Sequence, residues 1–431
     1  MRDWSPERVA QAAGARLAAP APHAVGPGRV VIDSRDVGPG DLFVGLSGGN
    51  VDGGRFAPQA LSAGAWGVLV GAQHAEDARC APPGVLLAAE DPLAALGRLA
   101  TAWRRALGAH VIGVTGSTGK TSTKDVLAGM LAPHRRVVAT AQNLNTEIGL
   151  PLTVLGAAPG TEVLVLEMAM RGAGQIAELA AIAEPDVGVI VNVGPVHLER
   201  LGSIEAIAAT KAELIAGLRH DGTAVIPAGE PLLDPHRRAD VRTVTFGPGG
   251  DVDELPGDLE LPFTSAHMRT NALAALAAAR AVGVEPGGEV HVALSDLRGQ
   301  KIELPGGIVV VNDCYNANPM SMRAALDDLA ASAPGRRVAV LGDMLELGAG
   351  EREFHELVGA HARTVGVDVL VTVGPLAEHI GAGFGAPSHA AADARAASAL
   401  VPGLLERGDT VLVKASRGVG LEVVAQALEA A

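Results

Sequence analysis

The residues able to do chemistry gather where short apolar runs meet loops, and the sharpest such junction is 113-GVTGSTGKTS-122. An apolar strand, VIGV, enters a glycine-containing turn, then Lys120 and Thr121, then a helical stretch, 121-TSTKDVLAGML-131. That order suits phosphate. Gly116 and Gly119 let the backbone bend so that its N–H groups face an anion at the positive end of a helix. Lys120 would neutralise the outer phosphates of a nucleotide, and the Thr121 hydroxyl would ligate Mg2+. The strict Walker A spacing fails, because its first glycine would fall on Val114. An ordinary glycine-rich turn would read the same way without a ligand, but the strand–loop–helix context favours phosphate.

Glu167 sits in a second apolar run, 163-VLVLEMA-169. A carboxylate isolated in a core costs several kcal/mol. At the carboxyl end of a strand, where open α/β sheets bind ligands, it can face a cation. Glu167 therefore reads as a Mg2+ ligand or as a salt-bridged strand end. His197 follows a third run, in 191-VNVGPVHLERLGS-203, and its place beside the other two junctions makes it a candidate ligand although a lone histidine is more often structural. Lys211, in 208-AATKAELIAG-217, reads from spacing alone as a solvated helix lysine paired with Glu213 or Glu205. In 312-NDCYNANPMSM-322 an Asp, a Tyr and two Asn precede Pro319. Such groups suit a polar ligand and turn chemistry equally well.

These junctions need a scaffold of buried strands and covering helices, and the pattern supplies one. From His110 the runs 111-VIGV-114, 163-VLVLEMA-169 and 187-VGVIVNV-193 read as buried parallel strands with helices between them. After Gly299 the alternation restarts with 308-IVVV-311, 338-VAVLG-342, 368-DVLVTVG-374 and 410-TVLVKAS-416, as in a doubly wound sheet. Upstream, 29-RVVIDSR-35, 42-LFVGL-46 and 67-GVLV-70 are shorter strands among Gly- and Pro-rich turns. A helix-like link, 90-EDPLAALGRLATAWRRALG-108, joins the first zone to the second. An α/β chain of three domains follows, with boundaries at residues 1–87, 88–298 and 299–431.

Composition narrows the function classes. The chain has 431 residues, one Tyr, three Trp and six Phe, so its core is built from aliphatic side chains and alanine. A net charge of −14 argues against a nucleic-acid partner, which needs a basic footprint. It does not exclude a nucleotide, because a nest of backbone N–H groups holds phosphate inside an acidic protein. Two distant cysteines, Cys80 and Cys314, give no disulfide framework. The N-terminal stretch lacks the apolar segment of a signal peptide, and no run is long enough to span a bilayer, so a cytoplasmic protein without a membrane partner is expected.

TGSTGKTS at 115–122 resembles the phosphate loop of the Mur ligases and folylpolyglutamate synthases, which lacks the first Walker glycine. The runs 143-NLNTEIGLPLTVL-155, 166-LEMAMRGAGQIAEL-179, 196-VHLERLGSIEAIAATKAEL-214, 312-NDCYNANPMSM-322, 340-VLGDMLELG-348 and 412-LVKASRG-418 are similar, in order, to the Mur branch that adds D-alanyl-D-alanine to UDP-N-acetylmuramoyl-tripeptide. The stretch 32-IDSRDVGPGDLFVGLSGG-49 is similar to that family's uridine-nucleotide domain.

The resemblance implies a UDP-substrate domain, a central ATPase domain with a mostly parallel sheet and a Rossmann-like C-terminal domain. It implies an ATP-dependent amide ligase of peptidoglycan precursor synthesis, acting through an acyl-phosphate, with ATP and Mg2+ as cofactors and no other partner than its substrates, as a monomer. It assigns Thr115, Gly116, Ser117, Thr118, Gly119, Lys120, Thr121, Ser122, Asn271, Lys301 and Asp313 to the nucleotide. It assigns Thr121, Glu167, His197 and Lys211 to the metal, Lys211 as a carbamate, and makes Lys120, Glu167, His197 and Lys211 the catalytic set. Ser34 and Arg35 would contact UDP, Asn145 and Glu147 the muramoyl-peptide, and Tyr315, Asn316 and Asn318 the incoming dipeptide. The chain departs from the pattern at Thr146, Ala169 and Ala415. In 299-GQKIE-303, Gln300 or Lys301 stands where an arginine contacts the nucleotide, and lysine lacks the planar fork. The rival readings are another amide ligase of the same family or of the folate branch, and a non-catalytic nucleotide-binding relative.

Overall fold

Three large sheets follow one another along the chain, with a small parallel pair, Leu259–Glu260 and Gly288–Glu289, between the second and the third, in a computed structural model that describes residues 1, 3–20, 25–49, 51–293, 295 and 297–430. The first has five strands in the order Arg16–Ala19, Val85–Ala89, Gly67–Gly71, Leu42–Val44 and Val30–Val31, antiparallel only at its first pair. The second is wholly parallel, with six strands in the order Arg242–Phe246, Thr223–Pro227, Val187–Ile190, His110–Thr115, Val163–Glu167 and Val137–Ala139. The third also has six, in the order Gln300–Leu304, Ile308–Asn312, Thr410–Lys414, Arg337–Gly342, Val369–Val373 and His389–Ala391. It is parallel except at Gln300–Leu304, which runs antiparallel to its neighbour.

The continuous apolar runs are the central strands, because a parallel strand covered on both faces must be apolar throughout. Val163–Glu167 and Thr410–Lys414 are buried along their whole length. A polar side chain leaves the sheet just past another of these strands. The run 187–193 stops at Ile190 because the Asn192 side chain leaves the sheet to bond the backbone of Thr118. The edge strands Val137–Ala139 and His389–Ala391, and the antiparallel Gln300–Leu304, carry too little apolar pattern to stand out in the sequence.

The link between the first two sheets is the helix Pro92–Leu107. Asp91 caps it by accepting from the N–H groups of Leu93 and Ala94, and Gly108 ends it in the left-handed region. Trp103 anchors it, donating Nε1–H to the Ala157 carbonyl at 3.0 Å and meeting Trp4 edge to face at 5.4 Å. These residues belong to one apolar cluster that runs from the first sheet into the second. On the opposite face of the central sheet, the alanine-rich helix Ala266–Ala281 packs beside Lys120–Leu131, its small side chains permitting close approach. Among the described residues no helix is long and apolar enough to cross a membrane.

In the central sheet His110–Thr115 lies between Val187–Ile190 and Val163–Glu167, and the chain crosses to opposite sides of it. That is a topological switch point, and the carboxyl ends of three adjacent strands open into one crevice.

Candidate active site

The crevice widens into a cavity of about 1530 Å3 lined by both the second and the third sheet units. Its floor is the loop Thr115–Gly119 and the first turn of the helix Lys120–Leu131. Gly119 takes φ +78, and a Cβ there would sit 2.6 Å from Asn271 Oδ1, so glycine is required by both conformation and space. The segment just past the strand Val187–Ile190 holds the loop in place. Ser117 donates its hydroxyl to the Gly194 carbonyl at 2.9 Å and accepts the Gly194 N–H at 2.8 Å. Thr118 N–H donates to Asn192 Oδ1 at 2.9 Å, and Asn192 Nδ2 donates back to the Thr118 carbonyl at 3.1 Å. Asn192 and Gly194 were not singled out in the sequence; their signal was only a polar residue and a glycine just past an apolar run.

Lys120 donates to the Gly116 carbonyl at 2.8 Å across the top of the loop. Burial pushes its ammonium below the usual lysine range, Glu167 pulls it back up, and Arg298 pushes it down. Glu167 is 1% exposed. Its Oε1 accepts from Asn145 Nδ2 at 2.8 Å, while its Oε2 is buried without a partner. Lys211 is equally covered, at 1%, and has no hydrogen-bond or ion-pair partner among the described residues. Burial drives its pKa far below the ordinary lysine value, and the Lys120 charge drives it further. The solvated, Glu-paired lysine that spacing alone suggested is therefore not what the structure holds: Glu213 is spent capping the helix Gln175–Ala183, accepting from Gly174 N at 2.7 Å and Ala177 N at 3.0 Å.

His197 completes this corner. Its backbone is left-handed, with φ 53, and its Nδ1 lies 2.5 Å from Glu346 Oε2. Burial lowers its pKa first of all, the Glu346 carboxylate raises it, and Lys120 and Lys211 lower it. A divalent cation fits this corner on three observations: an orphaned buried carboxylate oxygen, an imidazole whose pKa burial lowers and a buried lysine without a partner among the described residues. Thr121, 3% exposed at the first turn of the helix, offers a hydroxyl beside them. Among the described residues no group of three or more His, Cys, Asp or Glu side chains could hold a metal by itself. Mg2+ bound here would draw on phosphate oxygens and water as well, which is its usual habit.

The third sheet unit supplies the opposite wall. Asp313, Tyr315, Asn316 and Asn318 all line the cavity. Lys414, 2% exposed, donates to Asp313 Oδ2 at 2.6 Å and to the Asn316 carbonyl at 3.1 Å, fixing that loop. Asn318 caps the helix Pro319–Ser332, accepting from Ser321 N at 2.9 Å, so turn chemistry takes its oxygen and leaves its Nδ2. Arg298 stacks its guanidinium over the Tyr315 ring at 4.0 Å, with its Nε buried and unpartnered. Lys301 reaches the cavity rim from an exposed strand position. A planar fork thus stands one residue before the glycine of 299-GQKIE-303, a register the motif spacing did not suggest.

Ser122, Asn145, Glu147 and Asn271 also line the cavity, with Asn271 buried against the phosphate loop. Ser34 and Arg35 are not among its lining residues. They form a turn after the strand Val30–Val31, where Asp33 accepts from Arg35 Nε at 2.9 Å and is held down at a pKa of about 2.

Three family descriptions match consecutive parts of the chain: "Mur ligase family, catalytic domain" over residues 29–104, "Mur ligase middle domain" over 114–261, and "Mur ligase, glutamate ligase domain" over 297–417. The chain is 39% identical to a UDP-N-acetylmuramoyl-tripeptide–D-alanyl-D-alanine ligase of Mycobacterium tuberculosis, over 94% of this chain and 92% of that one. It is 37% identical to the protein of the same name from Bacillus subtilis, over 93% and 92%. Among solved structures, MurF from Acinetobacter baumannii superimposes with a TM-score of 0.87 at 27% identity, over 99% of both chains. MurF from Thermotoga maritima, in complex with ADP, gives 0.79 at 32% identity, over 93% of this chain and 97% of that one.

Proposed function

The chain belongs to the Mur ligase family, and we propose that it is the ATP-dependent ligase joining D-alanyl-D-alanine to UDP-N-acetylmuramoyl-tripeptide in peptidoglycan precursor synthesis. The observation that carries this reading is convergence. The phosphate loop with Lys120, the orphaned Glu167 oxygen, the unpaired Lys211 amine and the Asp313–Asn318 wall face one cavity between two sheet units.

A carboxylate is a poor electrophile, and phosphorylation provides its leaving group. A carboxylate oxygen of the tripeptide attacks the γ-phosphorus of ATP, the bond to ADP breaks, and an acyl-phosphate results. The dipeptide amine then attacks the carbonyl carbon, the C–O bond to phosphate breaks, and the amine loses a proton to solvent. Lys120 and the N–H groups of 115–122 bind the nucleotide phosphates and offset charge as it moves onto ADP. Asn271 lies beside this loop for the adenine, and Arg298 or Lys301 serves the nucleotide from the third sheet. Asn145 and Glu147 orient the muramoyl-peptide, and Tyr315, Asn316 and Asn318 the incoming dipeptide. Ser34 and Arg35, outside the cavity, meet the uridine end of a long substrate.

Thr121, Glu167, His197 and Lys211 would hold Mg2+, which supplies charge neutralisation at the transferring phosphoryl group. Lys211 suits this as a carbamate. Its amine, with a pKa driven down by burial, attacks the carbon of CO2 in its neutral form and loses one proton, leaving an N-carboxylate where a cation would repel a metal. Residues 1–87, 88–298 and 299–431 then serve the UDP substrate, ATP and the dipeptide respectively, in a monomeric cytoplasmic enzyme.

Phosphate release from ATP tests the reading, measured with and without each substrate for wild type and Lys120→Ala. Release that needs both UDP-N-acetylmuramoyl-tripeptide and D-alanyl-D-alanine and vanishes in the variant is expected. ATP binding without dipeptide-dependent release would point to another acceptor or a non-catalytic relative.

A further inference from the structure

The loop that ends the strand Val187–Ile190 makes two sets of contacts at once. On one side Asn192 and Gly194 hold the phosphate loop through Thr118 and Ser117. On the other, residues 194–199 receive the third sheet unit. A Cβ on Gly194 would collide with the side chain of Met320, and one on Gly348 would meet the backbone of Glu199 at 3.2 Å. Between these two points lies the bond from His197 Nδ1 to Glu346 Oε2, at 2.5 Å.

Glu346 does not line the cavity and its side chain is 40% exposed, so neither substrate contact nor core packing explains it. Its placement is nevertheless closely determined. Glu346 takes φ 65 and His197 takes φ 53, a left-handed conformation that residues with side chains rarely adopt without outside support. The support is visible on the Glu346 side. Met344 N–H donates to His355 Nε2 at 2.9 Å, Leu345 N–H donates to Ser416 Oγ at 2.9 Å, and Gly348 occupies φ +70 against Glu199.

A carboxylate accepts, so His197 Nδ1 is the donor in this bond and Nε2 is the ring nitrogen left for another partner. A metal-bound histidine usually donates its other N–H to a carboxylate or carbonyl, which fixes the ring and its tautomer. Here that carboxylate comes from a different sheet unit.

We propose that Glu346 is a positioning residue that acts through His197, so that the imidazole is set to receive a divalent cation when the C-terminal unit is docked on residues 194–199. Docking and metal binding are then coupled, and by linkage each strengthens the other. The proposal rests on the ligase reading and on Mg2+ as its cation.

The test is Mn2+ binding to the full-length enzyme with a non-hydrolysable ATP analogue, followed by electron paramagnetic resonance of the free ion. Wild type, Glu346→Gln, Glu346→Ala, His197→Ala and the double variant His197→Ala/Glu346→Ala are compared, each first shown to unfold thermally as a folded protein. Glu346→Ala should weaken Mn2+ about tenfold. Glu346→Gln, which keeps an acceptor, should weaken it less. The double variant should bind no more weakly than His197→Ala alone, because Glu346 has no route to the metal except the imidazole. Unchanged Mn2+ affinity in either single alanine variant, or independent losses that multiply in the double variant, would overturn the proposal. Dipeptide-dependent phosphate release by wild type decides the ligase reading separately, so the two failures cannot be confused.

Discussion

Lys211 on the central unit and Lys414 on the C-terminal unit are buried to the same degree, 1% and 2% exposed, but they are treated in opposite ways. Lys414 donates to Asp313 Oδ2 and to the Asn316 carbonyl, so its charge is matched and its donors are used. Lys124, 3% exposed, follows the same rule with Asp125 Oδ1 at 2.5 Å and the Thr140 carbonyl at 2.8 Å. Lys211 has no such partner among the described residues, and the charge that shifts its pKa is another cation, Lys120. A buried charge without a partner costs several kcal/mol, so a fold retains one only where the group changes state or meets a ligand. The comparison separates a lysine matched inside the fold from one left unmatched, and on the proposed ligase reading the second is the one that works in the site.

Replacing each lysine should break the comparison in a different observable. Lys211→Ala should lower kcat for dipeptide-dependent phosphate release by on the order of 10²–10³-fold, with small carboxylates such as acetate restoring part of it by filling the vacated space. Lys211→Met should at the same time stabilise the fold by about 1–4 kcal/mol in denaturant titration, since it removes an unmatched polar group. The sign with pH is fixed. The folded amine titrates well below the unfolded one, so between those two values the unfolded chain binds more protons and wild-type stability rises with pH. The advantage of Lys211→Met should therefore shrink as pH climbs toward the ordinary lysine value of 10.5.

Lys414→Met should instead destabilise by roughly 3 kcal/mol, because Asp313 and the Asn316 carbonyl lose their donor. Any loss of activity should follow the folded fraction and the placement of the 313–318 loop. A Lys414 variant as stable as wild type would remove the distinction between the two lysines.

On the proposed reading, Arg298 and Lys301, both at the start of the third sheet unit, compete for one role at the nucleotide. Arg298→Ala should raise KM for ATP about tenfold, the equivalent of about 1.4 kcal/mol, while Lys301→Ala at the exposed rim should change it little. The reverse order would return the role to Lys301.

The smallest effect concerns the loop that carries Glu346. His355 is fully buried, accepts from Met344 N–H at 2.9 Å, and is pushed below its ordinary value of 6.5 chiefly by burial. Below pH 6.5 the unfolded chain takes up this proton and the folded chain resists, so stability is lost as pH falls. Relative to His355→Leu, wild type should lose at most about 1.4 kcal/mol per pH unit there, measured by urea titration.

Much of the fold was legible because parallel strands covered on both faces must be apolar along their length. Val163–Glu167, Arg337–Gly342 and Thr410–Lys414 stood out for that reason. The edge strands Val137–Ala139 and Gln300–Leu304 did not, since strands that are only half-buried or exposed carry a weaker apolar pattern. The strand, loop and helix that carry Lys120 were legible because glycine, lysine and a helix start are local requirements. Asn192, Gly194, Arg298 and Glu346 were not, because each acts on a partner far away in sequence, as Glu346 does on His197 across 149 positions.

The sequence by itself determined three things: alternating buried strands and helices, a loop built to hold phosphate, and a carboxylate placed at a strand end. Those follow from local geometry and from the cost of putting a charge in an apolar run. Only the tertiary structure decided which charges would be matched. By its spacing Lys211 was a solvated lysine near Glu213, but the fold turned Glu213 to a neighbouring helix end and buried Lys211 in the cavity wall. The ionisation of a side chain depends on its distance from water and from other charges, and neither is written in the spacing of residues along a chain.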